Sequence, residues 1–251
     1  MSTIRKSLNT ILLELFLLII FFGLSCEQSV EPGTVANEEV SLGIVPLKVG
    51  NYWEYKTYAL REDSSTGLEI GRASWKVTRT SLDPSHVNQG PLFHRVFINP
   101  YDNSRSEFEW LYRNYTDGFY QMGGTMPSDS IYTKILLYKY PAQKGETWKS
   151  PHLVYDLQQG KYLIPDTIAY TCVDTNAVFE TPLGNFSCVV YYHRMIDDEG
   201  DAVSKQDIYE YCSKEVGVVG IITLVFDDAL QKRFPYSKRV LVATNVIPNN
   251  K

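Results

Sequence analysis

Alternation of apolar and polar residues is the main structural signal along the chain. In residues 107–113 the aromatic side chains occupy every second position, and the positions between them are mostly charged. Residues 53–57 and 74–79 repeat this pattern. Strands with this period cover a core on one face and meet water on the other, as in antiparallel sheets. The pattern therefore predicts an all-β protein.

Clusters of turn-forming residues separate the alternating segments. They occur at 63–67, 83–85, 99–103, 116–118 and 182–185, and their spacing predicts about ten strands. No amphipathic helix longer than two turns is evident. The expected architecture is a single antiparallel domain over residues 42–247, either a β-sandwich or a strongly curved, barrel-like sheet.

One short pattern occurs twice. Residues 46–53 and 141–148 share the frame P-x-x-x-G-x-x-W, ending at Trp53 and Trp148. Each predicts a turn that leads into a strand beginning with a core tryptophan. The repeat indicates either an old duplication into halves 46–140 and 141–246 or chance recurrence of a common turn.

The first 25 residues have the three parts of a secretory signal peptide. Arg5 and Lys6 precede an apolar run over 11–22, and small residues follow. A membrane-spanning helix is the alternative. It needs about 20 predominantly apolar residues, whereas Glu14 interrupts this run. We therefore expect a cleaved signal over residues 1–25.

Cys26 directly follows the expected cleavage site. The segment Gly23-Leu24-Ser25-Cys26 resembles the lipobox of bacterial lipoproteins, which implies that Cys26 is acylated. Gly23 departs from the usual aliphatic residue, and Gly23 with Ser25 also suits an ordinary signal peptidase. Residues 26–41 then form the lipidated cysteine and a polar tether. The sequence predicts attachment to a membrane of the bacterial cell envelope, on its periplasmic or surface face.

Several segments of the mature chain resemble a family of uncharacterised, β-rich bacterial lipoproteins. The resemblance is carried by Pro46-Leu47-x-Val49-Gly50-Asn51-x-Trp53-x-Tyr55, by Pro141-x-x-x-Gly145-x-x-Trp148, by Thr181-Pro182-Leu183-Gly184-Asn185-Phe186-x-Cys188-Val189, and by Tyr211 with Val216-Gly217-Val218-Val219. It spans most of the mature domain. The family has no established activity, so the resemblance implies an envelope lipoprotein without assigning any residue a chemical role.

The charge distribution argues against a nucleic-acid partner. The chain has 24 basic and 29 acidic side chains, which are interspersed without a basic cluster. Binding to a phosphate backbone requires such a cluster.

A disulfide is predicted between two of the cysteines. With Cys26 lipidated, Cys172, Cys188 and Cys212 are left. If the hairpin around residues 197–201 is symmetric about Gly200, Cys188 faces Cys212 within bonding range. The alternative is that these thiols are buried and act as small hydrophobic groups.

Neither a metal site nor a cofactor is expected. The histidines lack the spacing that places two imidazoles on one metal; they are His86, His94, His152 and His193. Residues 197–201 carry alternating carboxylates, but glycine falls too early for a calcium loop, so a hairpin turn is the better interpretation.

Catalytic residues are not evident either. There is no G-x-S-x-G elbow. Glu107 and Glu109 share a strand face, as a pair of sugar-cleaving carboxylates would, but on an alternating strand this is simply the solvated face.

The 18 tyrosines leave two interpretations open. They either form a binding surface or fill a β-rich core. The expectation is a lipid-anchored envelope protein without catalytic activity, which binds an apolar ligand or an envelope partner or has a structural role. The alternative is a secreted carbohydrate-active or glycan-binding protein that uses surface tyrosine, tryptophan and carboxylate groups.

Overall fold

A computed structural model of the chain describes residues 43–82, 91–99, 101–126, 130–156, 158–214 and 216–247, with every side chain in these ranges except that of residue 107. Cys26 and the predicted signal segment lie outside the described residues. Within the described ranges no residue belongs to a helix, and so none of them forms a helix long and apolar enough to cross a membrane.

Twelve strands make up the described part of the chain. They are β1 (Tyr52–Leu60), β2 (Thr66–Ser81), β3 (Leu92–Ile98), β4 (Arg105–Tyr115), β5 (Gly118–Thr125), β6 (Ser130–Lys139), β7 (Thr147–Asp156), β8 (Lys161–Thr181), β9 (Gly184–Ile196), β10 (Gln206–Ser213), β11 (Gly217–Asp227) and β12 (Lys232–Thr244).

All twelve strands belong to one antiparallel sheet. Their order is β6-β5-β4-β3-β2-β1-β12-β11-β10-β9-β8-β7. The first and last strands of the chain are therefore neighbours in the middle of the sheet, where Trp53 of β1 pairs with Thr244 of β12. The all-β prediction is confirmed, with twelve strands where the sequence indicated about ten, and with one sheet where a sandwich has two.

The sheet curves until its two edge strands touch. Laid flat, twelve strands would separate the edges by about 50 Å. Instead, Ser150 Oγ of β7 donates a hydrogen bond to the carbonyl oxygen of Leu136 in β6 at 2.5 Å. Ile135 of β6 and Leu153 of β7 also belong to the same buried cluster. No ladder of backbone hydrogen bonds joins these two strands in the described residues, so the sheet is curved but open.

The curvature gives the sheet an inner and an outer face. The inner face carries the main core, and its largest fully buried side chains are Trp53, Tyr191 and Phe119. On the outer face of β3–β5 a smaller cluster is formed by Leu92, Leu111, Tyr120 and Met122. Alternation along β3 places Phe93 and Arg95 on the inner face and His94 on the outer face.

Because neighbouring strands are antiparallel, the connections alternate between the two ends of the sheet. We call the tip end the one with the connections β1–β2, β3–β4, β5–β6, β7–β8, β9–β10 and β11–β12. The base end has the remaining connections, together with the segment that leads into β1. This division is the basis for comparing exposed residues below.

Candidate functional site

Exposed apolar side chains are concentrated at the tip end. Twelve large apolar residues are exposed in the described part of the chain, and eight of them lie in the tip half of a strand or in a tip connection: Leu68, Ile70, Tyr101, Tyr132, Ile164, Val203, Leu230 and Tyr236. At the base end the exposed ones are Val49, Leu82, Val178 and Leu183. Single exposed apolar residues are ordinary, but a concentration of them marks an interaction surface.

Four of the tip residues come from neighbouring strands. Tyr58 of β1 pairs with Glu69 of β2 on one side and with Lys238 of β12 on the other. This register places Leu68 and Ile70 of β2 two strands, or about 10 Å, away from Tyr236 of β12. Leu230 lies beyond Tyr236 in the β11–β12 turn. These residues lie at the same end of the sheet, so a partner that covers this end would contact them together.

The tip end also carries an acidic loop. Four carboxylates lie in the β9–β10 connection, on Asp197, Asp198, Glu199 and Asp201, against one ammonium on Lys205. Asp197 Oδ1 accepts the backbone N–H of Asp201 at 2.8 Å, and Gly200 supplies the positive φ that the turn needs. The loop is thus a hairpin turn, and no described residues form a cluster of three or more potential metal ligands.

The inner face is filled by a row of stacked aromatic rings. The centroid distances along Tyr112, Phe119, Tyr138 and Tyr191 are 5.1, 5.7 and 5.1 Å, and the ring planes are within 18° of parallel. All four residues are buried. These rings come from four strands of the two halves of the sheet, so they join the halves across the interior. They belong to the core and do not form the exposed row that a glycan-binding surface requires.

A polar pair lies among these rings. Glu210 Oε2 accepts a hydrogen bond from the Tyr138 hydroxyl at 2.8 Å and lies 3.4 Å from His193 Nε2. Burial alone would raise the pKa of the Glu210 carboxyl, but His193, Tyr138 and Arg239 outweigh it and hold the pKa below its usual range. The partners of Glu210 therefore compensate for the burial of its charge, and the pair is part of the core.

Arg95 is another charged group on the inner face. Its guanidinium lies 4.6 Å from the ring centroid of Trp75, 5.5 Å from that of Trp53 and 5.7 Å from that of Tyr112. Its Nε is buried and has no hydrogen-bond partner. Cation–π contacts of this kind stabilise a desolvated guanidinium by about 2 kcal/mol, so Arg95 has a sufficient structural role.

The pocket on β1 and β2 does not suit an apolar ligand. A pocket of about 120 Å³ lies on β1 and β2, and charged side chains such as Glu54, Lys56 and Arg72 contribute to its lining. Ligand pockets usually have about 300–1,000 Å³ and a mostly apolar lining. This pocket is too small and too polar for an acyl chain, so it does not favour the apolar-ligand hypothesis.

A second polar cluster lies on the outer face of β2–β4, and we call it the outer network. His94 Nδ1 lies 2.5 Å from Glu109 Oε2, and His94 Nε2 lies 2.7 Å from Ser81 Oγ. Arg79 Nη2 donates to Glu109 Oε2 at 2.6 Å, and Arg105 donates to Glu109 Oε1. The network thus comprises Ser81, His94, Glu109 and the two arginines.

Burial and charge set the protonation of the outer network. Burial lowers the pKa of His94 below its usual value, although the hydrogen bond to Glu109 opposes this shift. Burial would raise the pKa of Glu109, but the hydrogen bonds from Arg79 and His94 reverse the effect and lower it. At neutral pH the network therefore contains a neutral imidazole and an ionised carboxylate.

The outer network was not visible in the sequence. The strand pattern predicts that Glu109 lies on a solvated face, but Glu109 is buried, and so is His94. The three residues that carry its acid–base chemistry come from three strands. The spacing signal is hidden by an irregularity in the register of β2 against β3 between Val77 and Arg79, which brings Arg79 opposite His94.

The predicted Cys188–Cys212 bridge is not formed in this structure. The sheet pairs Cys212 with Val189, one residue away from the predicted register. A shift of one residue places the two thiols on opposite faces of the sheet. Both are free and buried, as is Cys172, and burial raises the pKa of Cys188 to about 12. The alternative interpretation, buried thiols that act as small hydrophobic groups, describes these residues.

Comparisons with known proteins give limited similarity. No protein-family model matches the chain, and no curated protein matches it. A candidate lipoprotein from Parabacteroides distasonis, solved at 2.70 Å, has 17% sequence identity and a TM-score of 0.45, over 81% of this chain and 98% of that chain. A candidate exported protein with a YmcC-like fold from Bacteroides fragilis has 14% identity and a TM-score of 0.45, over 80% of this chain and 98% of that chain. Neither similarity is close enough to indicate a function.

Proposed function

We propose that this chain is a lipid-anchored envelope protein that binds a protein partner at its tip end. The concentration of exposed apolar side chains at that end carries the proposal. Protein–protein interfaces combine apolar and aromatic contacts at the centre with a polar rim, and the tip end has both kinds of residue. A small polar pocket and an interior filled with aromatic rings leave this surface as the best-supported binding region.

The charge at the tip end favours a protein with a basic surface. The four carboxylates of the β9–β10 loop lie close to exposed Val203, in the same loop. Opposite charges across an interface speed association and suppress wrong partners. An anionic lipid surface would instead be repelled by this loop. The proposed partner is therefore an envelope protein that presents a basic and partly apolar surface.

Site-specific photo-crosslinking in the intact envelope tests this proposal. A benzophenone amino acid replaces Leu68 at the tip end, where the residue is 81% exposed, or Val178 at the base end, where it is 69% exposed. We expect a discrete crosslinked protein from position 68 and none from the matched control. Equal crosslinking from both positions, or none from either, would contradict a tip-end interface.

Charge reversal separates a specific contact from incidental capture. Replacing Asp198, Glu199 and Asp201 together by lysine, while Asp197 keeps its bond in the turn, is expected to lower the yield of the crosslink from position 68 at least about 10-fold, because the steering charge is inverted. The matched control is Glu180→Lys, since Glu180 is exposed at the base end. An unchanged yield in the triple variant would rule out the basic partner.

The lipid anchor is a separate part of the proposal and rests on the lipobox-like segment before Cys26. In cells fed a labelled fatty acid, the wild-type chain is expected to incorporate the label and to sediment with membranes. Cys26→Ser is expected to lose both properties, because stable anchoring needs more than one acyl chain. A wild-type chain that sediments without label, or stays unlabelled in the soluble fraction, would exclude acylation at Cys26.

A further inference from the structure

We propose that Ser81 is a nucleophile toward carboxylic esters, with His94 as its general base and Glu109 as the group that positions the base. The proposal concerns the outer network and is independent of the tip-end interface. Serine, histidine and a carboxylate in this order of contact are recognised by geometry and not by position in the sequence. The sequence places the first two 13 residues apart and Glu109 another 15 residues on.

The contacts fix which nitrogen of His94 carries the proton. An ionised carboxylate only accepts hydrogen bonds, so Nδ1, at 2.5 Å from Glu109 Oε2, must be the donor. In the neutral ring, Nε2 then accepts from the Ser81 hydroxyl at 2.7 Å. This tautomer is the one that can remove the proton from Ser81 as its oxygen attacks. The distance of 2.7 Å between Ser81 Oγ and His94 Nε2 lies within the hydrogen-bond reach that general-base catalysis requires, about 2.6–3.2 Å.

The positions of the three side chains in the sheet suit their proposed roles. His94 and Glu109 are buried, so their orientation is fixed by the strands around them. Ser81 is the last residue of β2 and is half-buried, which leaves its hydroxyl nearer the solvent than the base. Such an arrangement has a rigid base beneath a more accessible nucleophile.

The two arginines make the outer network cationic. Arg79 and Arg105 each form an ion pair with Glu109. About half of each arginine side chain is exposed to solvent. Two guanidinium groups and one carboxylate leave a net positive charge beside a neutral His94. A positive field stabilises the oxyanion that forms when an ester carbonyl is attacked. It also favours esters whose acyl group carries a negative charge, and these are the substrate class that we infer.

The proposed reaction conserves atoms and charge. Ser81 Oγ bonds to the ester carbonyl carbon while its proton passes to His94 Nε2. The bond from that carbon to the alkoxy oxygen then breaks, and the proton on His94 leaves with the alcohol. Water attacks the acyl-serine in the same manner, with His94 again as the base, and releases the carboxylic acid and free Ser81.

Labelling with a fluorophosphonate tests the nucleophile directly. The probe phosphonylates activated serines, and mass spectrometry of peptides identifies the labelled residue. We expect the full chain to be labelled at Ser81 and Ser81→Ala to lose the label. The matched control is Thr80→Ala, since Thr80 is exposed on the opposite face of the same strand and should leave labelling unchanged. Absence of labelling at Ser81 in the folded chain would overturn the proposal.

Two further variants distinguish chemistry from folding. His94→Gln is expected to lower the labelling rate by about 100-fold, the lower end of what a general base contributes. Glu109→Gln keeps the shape of the side chain and is expected to change the pH dependence of labelling, because it alters the group that orients His94. Each variant is compared at a temperature where circular dichroism matches that of the wild type. Equal labelling rates and pH profiles in all variants would mean that Ser81 reacts without the base, and the proposal would fail.

Hydrolysis of a small ester defines the substrate class. A nitrophenyl monoester of succinate carries a negative charge on its acyl group, whereas the acetate ester does not. We expect the succinate ester to be hydrolysed about 10-fold faster at low salt and the difference to shrink at high salt, where charges are screened. If the acetate ester is hydrolysed equally fast, the inferred preference for anionic acyl groups is wrong.

Discussion

The halves β1–β6 and β7–β12 enter their first strands through the same turn. In each turn, the glycine N–H donates a hydrogen bond to the carbonyl oxygen of a residue in the second strand of that half. The N–H of the same strand residue donates to the carbonyl oxygen of the residue that follows the glycine. The bonds are Gly50 to Val77 at 2.9 Å and Val77 to Asn51 at 2.9 Å in one half, and Gly145 to Cys172 at 2.7 Å and Cys172 to Glu146 at 2.9 Å in the other. Both glycines have a positive φ. Duplication and chance recurrence both remain as interpretations of the repeat, but the turn geometry is shared.

The tryptophans that follow these turns differ in their burial and in the hydrogen bonding of their Nε1–H groups. Trp53 is 1% exposed, and its Nε1–H donates to the carbonyl oxygen of Val216 at 2.7 Å. Trp148 is only partly buried and stacks on Tyr170, and its buried Nε1–H has no partner. The repeated frame therefore fixes the backbone, while the contacts of each side chain depend on its own surroundings.

A histidine–glutamate pair also occurs on corresponding strands of the two halves, but on opposite faces. His94 of β3 binds Glu109 of β4 on the outer face, and His193 of β9 lies beside Glu210 of β10 on the inner face. The outer pair is supplemented by two arginines and Ser81, and the inner pair by a tyrosine hydroxyl. The same two types of side chain thus form a buried pair beneath exposed arginines in one half and an enclosed core element in the other.

Truncation of the two tryptophans should give the largest difference between the halves. We expect Trp53→Ala to lower the free energy of unfolding by about 4 kcal/mol, because it removes a fully buried ring and leaves a carbonyl unpaired. Trp148→Ala should cost about 2 kcal/mol, because less of that ring is buried and no hydrogen bond is lost. Urea unfolding monitored by circular dichroism measures both values. Equal losses would show that the two positions are equivalent in packing as well as in backbone.

Neutralising the two glutamates compares the His–Glu pairs. Glu109→Gln should lower the free energy of unfolding by about 2 kcal/mol, because a buried acceptor of three charged or polar donors is lost. The exposure of Arg79 and Arg105 limits the loss. Glu210→Gln should cost about 1 kcal/mol, since an amide can still accept from the Tyr138 hydroxyl. A larger effect of Glu210→Gln would indicate that the inner pair is the more important of the two.

The sequence contains the information for the strands and turns but not for the polar clusters. Alternation and turn residues are local, so the all-β fold and the turns before Trp53 and Trp148 could be predicted. The residue that faces Cys212 could not be predicted, because the conformation of the loop between β9 and β10 decides the register, and a difference of one residue replaces Cys188 by Val189. The outer network needs three strands in register with an irregularity in β2. Such a cluster depends on the relative positions of strands, which no single segment encodes.

Alanine substitution of the two turn glycines tests whether the shared turn geometry makes the same contribution to the free energy of unfolding in both halves. Gly50→Ala and Gly145→Ala should each cost about 1 kcal/mol, because both have a positive φ and both have open space where the new methyl group would lie. The control is Gly71→Ala, which has open space and no positive φ, and which should be neutral or stabilising by about 0.5 kcal/mol. Denaturant unfolding resolves these effects. If the two substitutions lower the free energy of unfolding by different amounts, the turns share their hydrogen bonds but not their energetics.

The smallest effect should appear in the pH dependence of stability. Burial lowers the pKa of both His94 and His152 in the folded chain. The unfolded chain then binds more protons just below the ordinary histidine pKa of about 6.5. Stability is therefore complete above that pH and falls as the pH decreases, at no more than about 1.4 kcal/mol per pH unit for each histidine. We expect His94→Gln and His152→Gln each to reduce the slope of the free energy of unfolding between pH 6.5 and 5, and the double variant to remove most of it.

The carboxylates add a second decline at lower pH, because the folded pKa of Glu109 is lowered. The stability contributed by Glu109 is present above the ordinary glutamate pKa of about 4.3 and is lost as the pH falls toward the lowered folded value. Glu109→Gln should therefore flatten the decline below pH 4.3 and leave the histidine decline between pH 6.5 and 5 in place. Loss of the histidine decline in Glu109→Gln would contradict burial as the cause of the lowered His94 pKa, because the substitution removes a group that raises this pKa and should leave the lowering by burial in place.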